Sequence, residues 1–162
     1  MAKFKISNYQ GIKIDCWTAK DLVGLHYLMK QEGCPNSENL FSDTDKAIEL
    51  DEVQRRISQK HHADKKSSAD MLLHVNNRKL LLADAKFRLN NTKNLGSKEI
   101  AKKVSDSKAM VKSDYSFDNS FYILLTKKAA SPSNLNRLRR NVGNNPNYQF
   151  MDAVEFHKLF ED

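Results

Sequence analysis

DMLLHVNNRKLLLADAKFR (70–88) is the most informative run in the sequence. Two apolar stretches, DMLLHV (70–75) and LLLADAKFR (80–88), flank the polar tetrapeptide NNRK (76–79). Asn-rich turns between apolar runs signal a β-hairpin, because asparagine tolerates the left-handed backbone that tight turns require. Both runs carry apolar residues on both faces, as central strands covered on two sides do. A turn centred near Asn77 pairs residues placed symmetrically about it, which sets Asp70 across from Asp84. Asp84 and Lys86 are two apart on one strand, so they point to the same face.

Two carboxylates and an ammonium group therefore converge within apolar strands. Opposed residues on paired strands have Cβ atoms about 4.5–5.5 Å apart, and like charges there destabilise the pair. Desolvating each charge costs several kcal/mol unless it is compensated. A divalent cation between Asp70 and Asp84 removes the repulsion, and hard oxygen ligands suit Mg²⁺ or Mn²⁺. Lys86 is then placed to polarise an attacking water and to offset charge at phosphorus. Hydrolysis of a phosphodiester suits such a site best. The alternative is an edge hairpin in which Asp84 and Lys86 are merely solvated, and the flanking LLLA argues against it.

Asp70, followed at a distance by Asp84-Ala85-Lys86, resembles the D…(D/E)-x-K signature of PD-(D/E)XK nucleases. The resemblance covers roughly 43–126 and implies a restriction-endonuclease-like αβββαβ core. It implies that Asp70 and Asp84 hold metal with the Ala85 carbonyl, and that Lys86 is the catalytic lysine. A glutamate from the helix before the strands often joins such sites. Glu49 is preferred over Glu52, since it lies nearer the stripe of Leu50, Val53 and Ile57. Ala69 stands where the family's name-giving proline would be, and the first core strand is not evident between Gln59 and Asp70. It is either very short or supplied by 3–17. The D-x-K triplet alone is weak evidence, because the chain has three, at Asp64, Asp84 and Asp106. Only the Asp84 copy sits in an apolar strand facing another aspartate.

Outward from the hairpin, 3–17 reads as one or two short strands with a turn at Gln10-Gly11. Thr18 with Asp21 makes a capping-box pattern heading a helix through Leu22, Val23, Leu25, Leu28 and Met29, closed by Gly33 and Pro35. Residues 36–43 read as loop, 45–59 as a second helix, and 60–68 as irregular. After a loop over 90–96, a helix over 97–113 carries Ile100, Val104 and Val111 on one side. FYILLT (121–126) is a buried strand. Ser131 or Ser133 caps a basic helix through Arg140, and YQFMD (148–152) is a strand leading into a terminal helix. The expected class is α/β, a mixed central sheet flanked by helices, in one domain over 1–162.

The 162 residues carry 27 Lys and Arg against 20 acids, a net charge of +7. Such a balance favours polyanions, through release of condensed counterions. Arg88, Lys102, Lys127, Arg137, Arg139 and Arg140 are candidate nucleic-acid contacts, with Lys103 and Lys128 as further ones; a solvated basic face is the alternative. His61, His62 and Asp64 form a polar cluster that reads as metal- or phosphate-binding or as solvated loop. His74 shares a face with Asp70, near the site or packed with a backbone hydrogen bond. Trp17 and Tyr27 read as core or rim.

No apolar run approaches the roughly 18 residues that span a membrane, and the N-terminus lacks an apolar signal segment. Cys16 and Cys34 have no metal-type spacing. Action in a reducing, cytoplasmic setting is expected, which a delivered toxin domain would share. The sequence thus predicts a Mg²⁺- or Mn²⁺-dependent nuclease acting preferentially on double-stranded DNA. Restriction, repair and resolvase roles fit, the last as a homodimer. So does a nuclease toxin domain neutralised by an acidic immunity protein. The alternatives are an RNA-cleaving (tRNase) toxin and a non-catalytic basic nucleic-acid-binding module.

Overall fold

A computed structural model describes residues 2–35, 40–88 and 95–161. The expected loops over 36–43 and 90–96 lie partly outside them. The hairpin forms as β3 (Met71–Val75) and β4 (Lys79–Ala85), with Met71 opposite Ala83 and Leu73 opposite Leu81. Asn76 and Asn77 take φ of 55° and 56° and close the turn. Asparagine accepts this left-handed conformation because its short polar side chain bonds locally to backbone. The Asn76 side chain ties the turn to the N-terminal segment, accepting from Lys5 N and donating to Lys3 O.

Around this hairpin lies one six-stranded mixed sheet in the order β1-β2-β3-β4-β5-β6. β1 (Leu22–Gly24), β2 (Lys46–Glu49), β3 and β4 run antiparallel in succession. β5 (Ser116–Leu125) and β6 (Tyr148–Asp152) add parallel strands beyond β4. Among the described residues five α-helices flank the sheet: α1 (Leu25–Gln31), α2 (Leu50–Lys60), α3 (Ser97–Met110), α4 (Pro132–Asn141) and α5 (Ala153–Lys158). The fold is α/β.

Two apolar clusters cover the sheet, one on each face. Leu72, Leu80, Leu82 and Ile123 pack with Val53 of α2, Ile100 of α3 and Leu138 of α4. Leu73, Leu81, Ala83 and Leu124 pack with Leu25 and Met29 of α1 and Phe156 of α5. Alternate residues of β4 thus enter different clusters, the period-two signature of a strand buried on both sides. Burying such side chains stabilises by about 1.5–3 kcal/mol each.

Several sequence expectations are corrected. The Thr18–Asp21 capping box forms, but it heads a single 3-10 turn (Ala19–Asp21) and not a long helix. Leu22–Gly24 is then strand, and the helix begins at Leu25. The helix expected over 45–59 is split, because Lys46–Glu49 is strand and only Leu50–Lys60 is helical. Ile48 pairs with Leu22 on one side and Leu72 on the other, and is fully buried. Pairing on both edges overrides the local helical pattern.

The strand that flanks β3 opposite β4 is β2, drawn neither from 60–69 nor from 3–17, and α2 lies between it and β3 in the chain. The N-terminal segment contributes isolated bridges only, Ile6 with Val75 and Ile14 with Val111. α3 stops at Met110, short of the expected 113, and α4 begins after Ser131, which makes no side-chain cap bond. Among the described residues no helix is long and apolar enough to cross a membrane.

Candidate functional site

One step beyond the last paired residues of β3 and β4, Asp70 and Asp84 face each other at the sheet's end. Each orients the other's strand. Asp70 N donates to Asp84 Oδ1 at 2.9 Å, and Ala85 N donates to Asp70 Oδ2 at 2.8 Å. One oxygen of each carboxylate is thus held by backbone, and the other is left for the site. Asp84 Oδ2 accepts from Lys103 Nζ at 2.7 Å, with Lys86 Nζ at 3.8 Å. Among the described residues no hydrogen bond reaches Asp70 Oδ1.

The electrostatics follow from burial. Asp84 is only 2% exposed, with two ammonium groups beside it. The Asp70 carboxyl is pushed up to about 7, first by burial and then by the charge of Asp84; the Ala85 N–H and Lys103 oppose the rise. Burial disfavours the Lys103 ammonium, but the charge and hydrogen bond of Asp84 outweigh it and raise its pKa. Asp70 therefore holds a proton more readily than an ordinary aspartate.

Asp70 stands between two cavities. One, of about 60 Å³, is acidic, with Glu32, Glu49 and Asp51 in its wall. The other, about 350 Å³, is lined by Lys65, Lys66, Ser67, Ser68 and Lys103, with Asp51 shared. The segment forming its lip is pinned from two helices. Gln54 of α2 donates to Ser67 O, while Asp106 and Ser107 of α3 accept from Ser67 N and Ala69 N. Burial raises the Glu49 carboxyl, with the charges of Glu52, Asp21 and Asp51 adding.

The donor set can be tested against a divalent cation. Among the described residues, no group of three or more His, Cys, Asp or Glu is arranged to hold a metal ion. An all-protein cage is therefore not built here. Two aspartates that each keep one oxygen off the backbone fit a small hard cation differently. Mg²⁺ commonly takes one or two carboxylates and completes its shell with water and substrate phosphate. The residues fit such a partly hydrated ion, provided Lys103 yields Asp84 Oδ2.

Of the residues expected at the site, Asp70, Asp84, Ala85 and Lys86 lie together. Glu49, at the end of β2, joins Asp70 in the acidic cavity, whereas Glu52 pairs with Arg55. The candidate nucleic-acid contacts are not gathered there. Arg88 is exposed and donates to Gln31 O. Lys102, Lys127, Arg137, Arg139 and Arg140 are exposed, and none forms an ion pair with the aspartates. His61 lines a separate cleft of about 290 Å³ and lies 3.4 Å from Asp15. His74 is core, bonded to Asn8 O and stacked against Tyr115. Trp17 packs at the core's margin, and Tyr27 is half exposed.

Lys103, Glu32 and Asp51 were not expected beside Asp70. A signal for Lys103 was present. Ile100, Lys103, Ser107 and Met110 recur at helical spacing, so the lysine belongs to the inward stripe of α3.

Comparison with family models, with curated proteins and with solved structures yields no match. The functional reading therefore rests on the chemistry of this cluster.

Proposed function

We propose that the protein is a Mg²⁺- or Mn²⁺-dependent nuclease that hydrolyses phosphodiester bonds at the Asp70–Asp84–Lys86 cluster. The observation that carries the reading is the facing pair of aspartates, Asp84 buried and Asp70 partly so, each with one oxygen fixed by the opposite strand's backbone. Two like charges held in register inside a sheet cost stability, and a site for a divalent ion gives that cost a purpose. When bound, the ion supplies neutralisation of phosphate charge and acidification of the attacking water.

The chain's own residues do the rest. Asp70 and Asp84 would hold the ion, with the Ala85 carbonyl as the further ligand that the resemblance implies. Lys86 Nζ, on the same face as Asp84, holds the attacking water and offsets charge developing on the phosphate oxygens. The water oxygen bonds to phosphorus and gives up a proton to solvent, while the bond to the leaving oxygen breaks and that oxygen takes up a proton from solvent. Lys66 flanks the open cavity as a contact for phosphate, beside Lys65, which is paired with Asp51. Glu49 adds negative charge behind Asp70.

The resemblance to PD-(D/E)XK nucleases supports this reading, as does the succession β2-β3-β4-α3-β5. The extra helix α2 departs from that family's order. DNA is the proposed substrate, and RNA the second. If the domain is a delivered toxin, an acidic immunity protein should cover the basic cavity. If it is a resolvase, it should dimerise.

The test is incubation of plasmid DNA, and in parallel of RNA, with Mg²⁺ or Mn²⁺. Cutting should stop with EDTA and fall by about 100-fold or more in Asp84→Ala and Lys86→Ala. Cutting that ignores EDTA, or full activity in both variants, refutes the mechanism. Tight binding without cleavage favours the non-catalytic module.

A further inference from the structure

Lys103 occupies an unusual position. It lies on the buried stripe of α3, while its neighbour Lys102 is exposed. Its side chain is 16% exposed, and its ammonium sits 2.7 Å from Asp84 Oδ2. That oxygen is the one which Asp70 N leaves open. It is also the oxygen through which Asp84 would reach a divalent ion. An ammonium and a dication cannot share it, since both are positive and the low-dielectric surroundings strengthen their repulsion.

Lys103 also has somewhere to go. It lines the cavity of about 350 Å³ whose other walls include Lys65, Lys66, Ser67 and Ser68. A lysine is a point charge on a flexible four-carbon stem, able to change partners without backbone movement. Asp51, also in the wall, accepts from Lys65 Nζ and Ser68 Oγ, so the ammonium that faces open space beside Lys103 is that of Lys66, a donor suited to a phosphate oxygen.

We propose that Lys103 is a stand-in cation, neutralising Asp84 until a divalent ion binds and then turning into the neighbouring cavity to contact the substrate's phosphate. The proposal rests on the reading of Asp70 and Asp84 as metal ligands and adds a coupling to it. Metal binding frees the ammonium for phosphate, so each ligand strengthens the other's binding, and such coupling is reciprocal. The cluster is never left with two uncompensated carboxylates, which accounts for a lysine on the inward stripe of α3.

The experiment titrates Mn²⁺ alone into the full chain, without nucleic acid, by calorimetry or by the Mn²⁺ spin-resonance signal. Lys103→Met removes the competing charge and should bind Mn²⁺ about tenfold tighter than wild type. Lys103→Gln keeps a hydrogen-bond donor for Asp84 and should also bind more tightly, which guards against a Met variant that folds poorly. Lys103→Arg should bind like wild type, and Lys102→Met should be unchanged. In a second arm, added Mn²⁺ should strengthen binding of a short duplex to wild type but not to Lys103→Gln.

Equal or weaker Mn²⁺ binding by both Lys103→Met and Lys103→Gln overturns the inference. If wild type still binds Mn²⁺ and cuts, the nuclease reading survives that result. If neither wild type nor the Lys103 variants take up Mn²⁺, the metal reading falls and the inference with it.

Discussion

Asp70 is the residue at which burial and function pull hardest against each other. Its carboxyl is pushed up to about 7 by burial and by Asp84. Without metal, the folded protein therefore binds a proton here more tightly than the unfolded chain does. The sign follows from linkage. The contribution of Asp70 to stability is fully present below the ordinary aspartate pKa and is lost as pH rises toward 7. Asp70→Asn keeps an oxygen to accept from Ala85 N but carries no charge. It should flatten this decline and be more stable than wild type at pH 7.5 by on the order of 2 kcal/mol. Urea denaturation of both proteins from pH 4 to 8 in EDTA checks this, and parallel curves would contradict it. The same variant should lose metal-dependent cutting.

At this scale the sequence was informative where geometry is short-range. Asp70 opposite Asp84, and Asp84 beside Lys86, follow from a tight turn and the period of two along a strand. Lys103 was harder to single out. Four lysines decorate α3, and the face that docks depends on contacts far away in sequence, even though the stripe of Ile100, Ser107 and Met110 runs through it.

At the scale of elements, the site depends on how the segment before β3 is held. Ala69 N donates to Ser107 Oγ at 2.8 Å, and both residues are fully buried. Ser107→Ala leaves that N–H without a partner, at a cost of about 1–3 kcal/mol. Thermal or urea unfolding should show the loss. Cutting by the folded variant should fall as well, because the bond fixes the residue preceding Asp70. Unchanged stability would mean that water or another acceptor replaces the hydroxyl.

Element types proved legible where a segment was long or apolar on both faces: β3, β4, the buried second half of β5, and α3; the exposed first half of β5, from Ser116, was not read. They were not legible for β1 and β2, of three and four residues. Lys46–Glu49 continues into a helix with no breaker, and only its place between two other strands makes it extended. The capping box at Thr18 formed as read, but Leu22–Gly24 was drawn into the sheet after one turn.

At the scale of the whole molecule, the charge of +7 is divided rather than pooled. Lys65, Lys66, Lys86 and Lys103 lie around the aspartates, and the exposed cations of α4 form no contact with them. If those four lysines carry phosphate binding, affinity for duplex DNA should drop about 100-fold over a fourfold rise in salt. Arg137→Ala and Arg139→Ala should leave that dependence nearly unchanged. A much steeper dependence, lost in those variants, would move the nucleic-acid surface to α4.

The sheet places the C-terminal end of β4 beside the N-terminal end of β3, and everything proposed for the site depends on that junction. The most direct measurement is a crystal structure with Mn²⁺, located by its anomalous scattering. The account predicts a peak within coordination distance of Asp70 and Asp84, with Lys103 moved off Asp84. An Asp84 still paired to Lys103, with no peak between the two aspartates at saturating Mn²⁺, would contradict it.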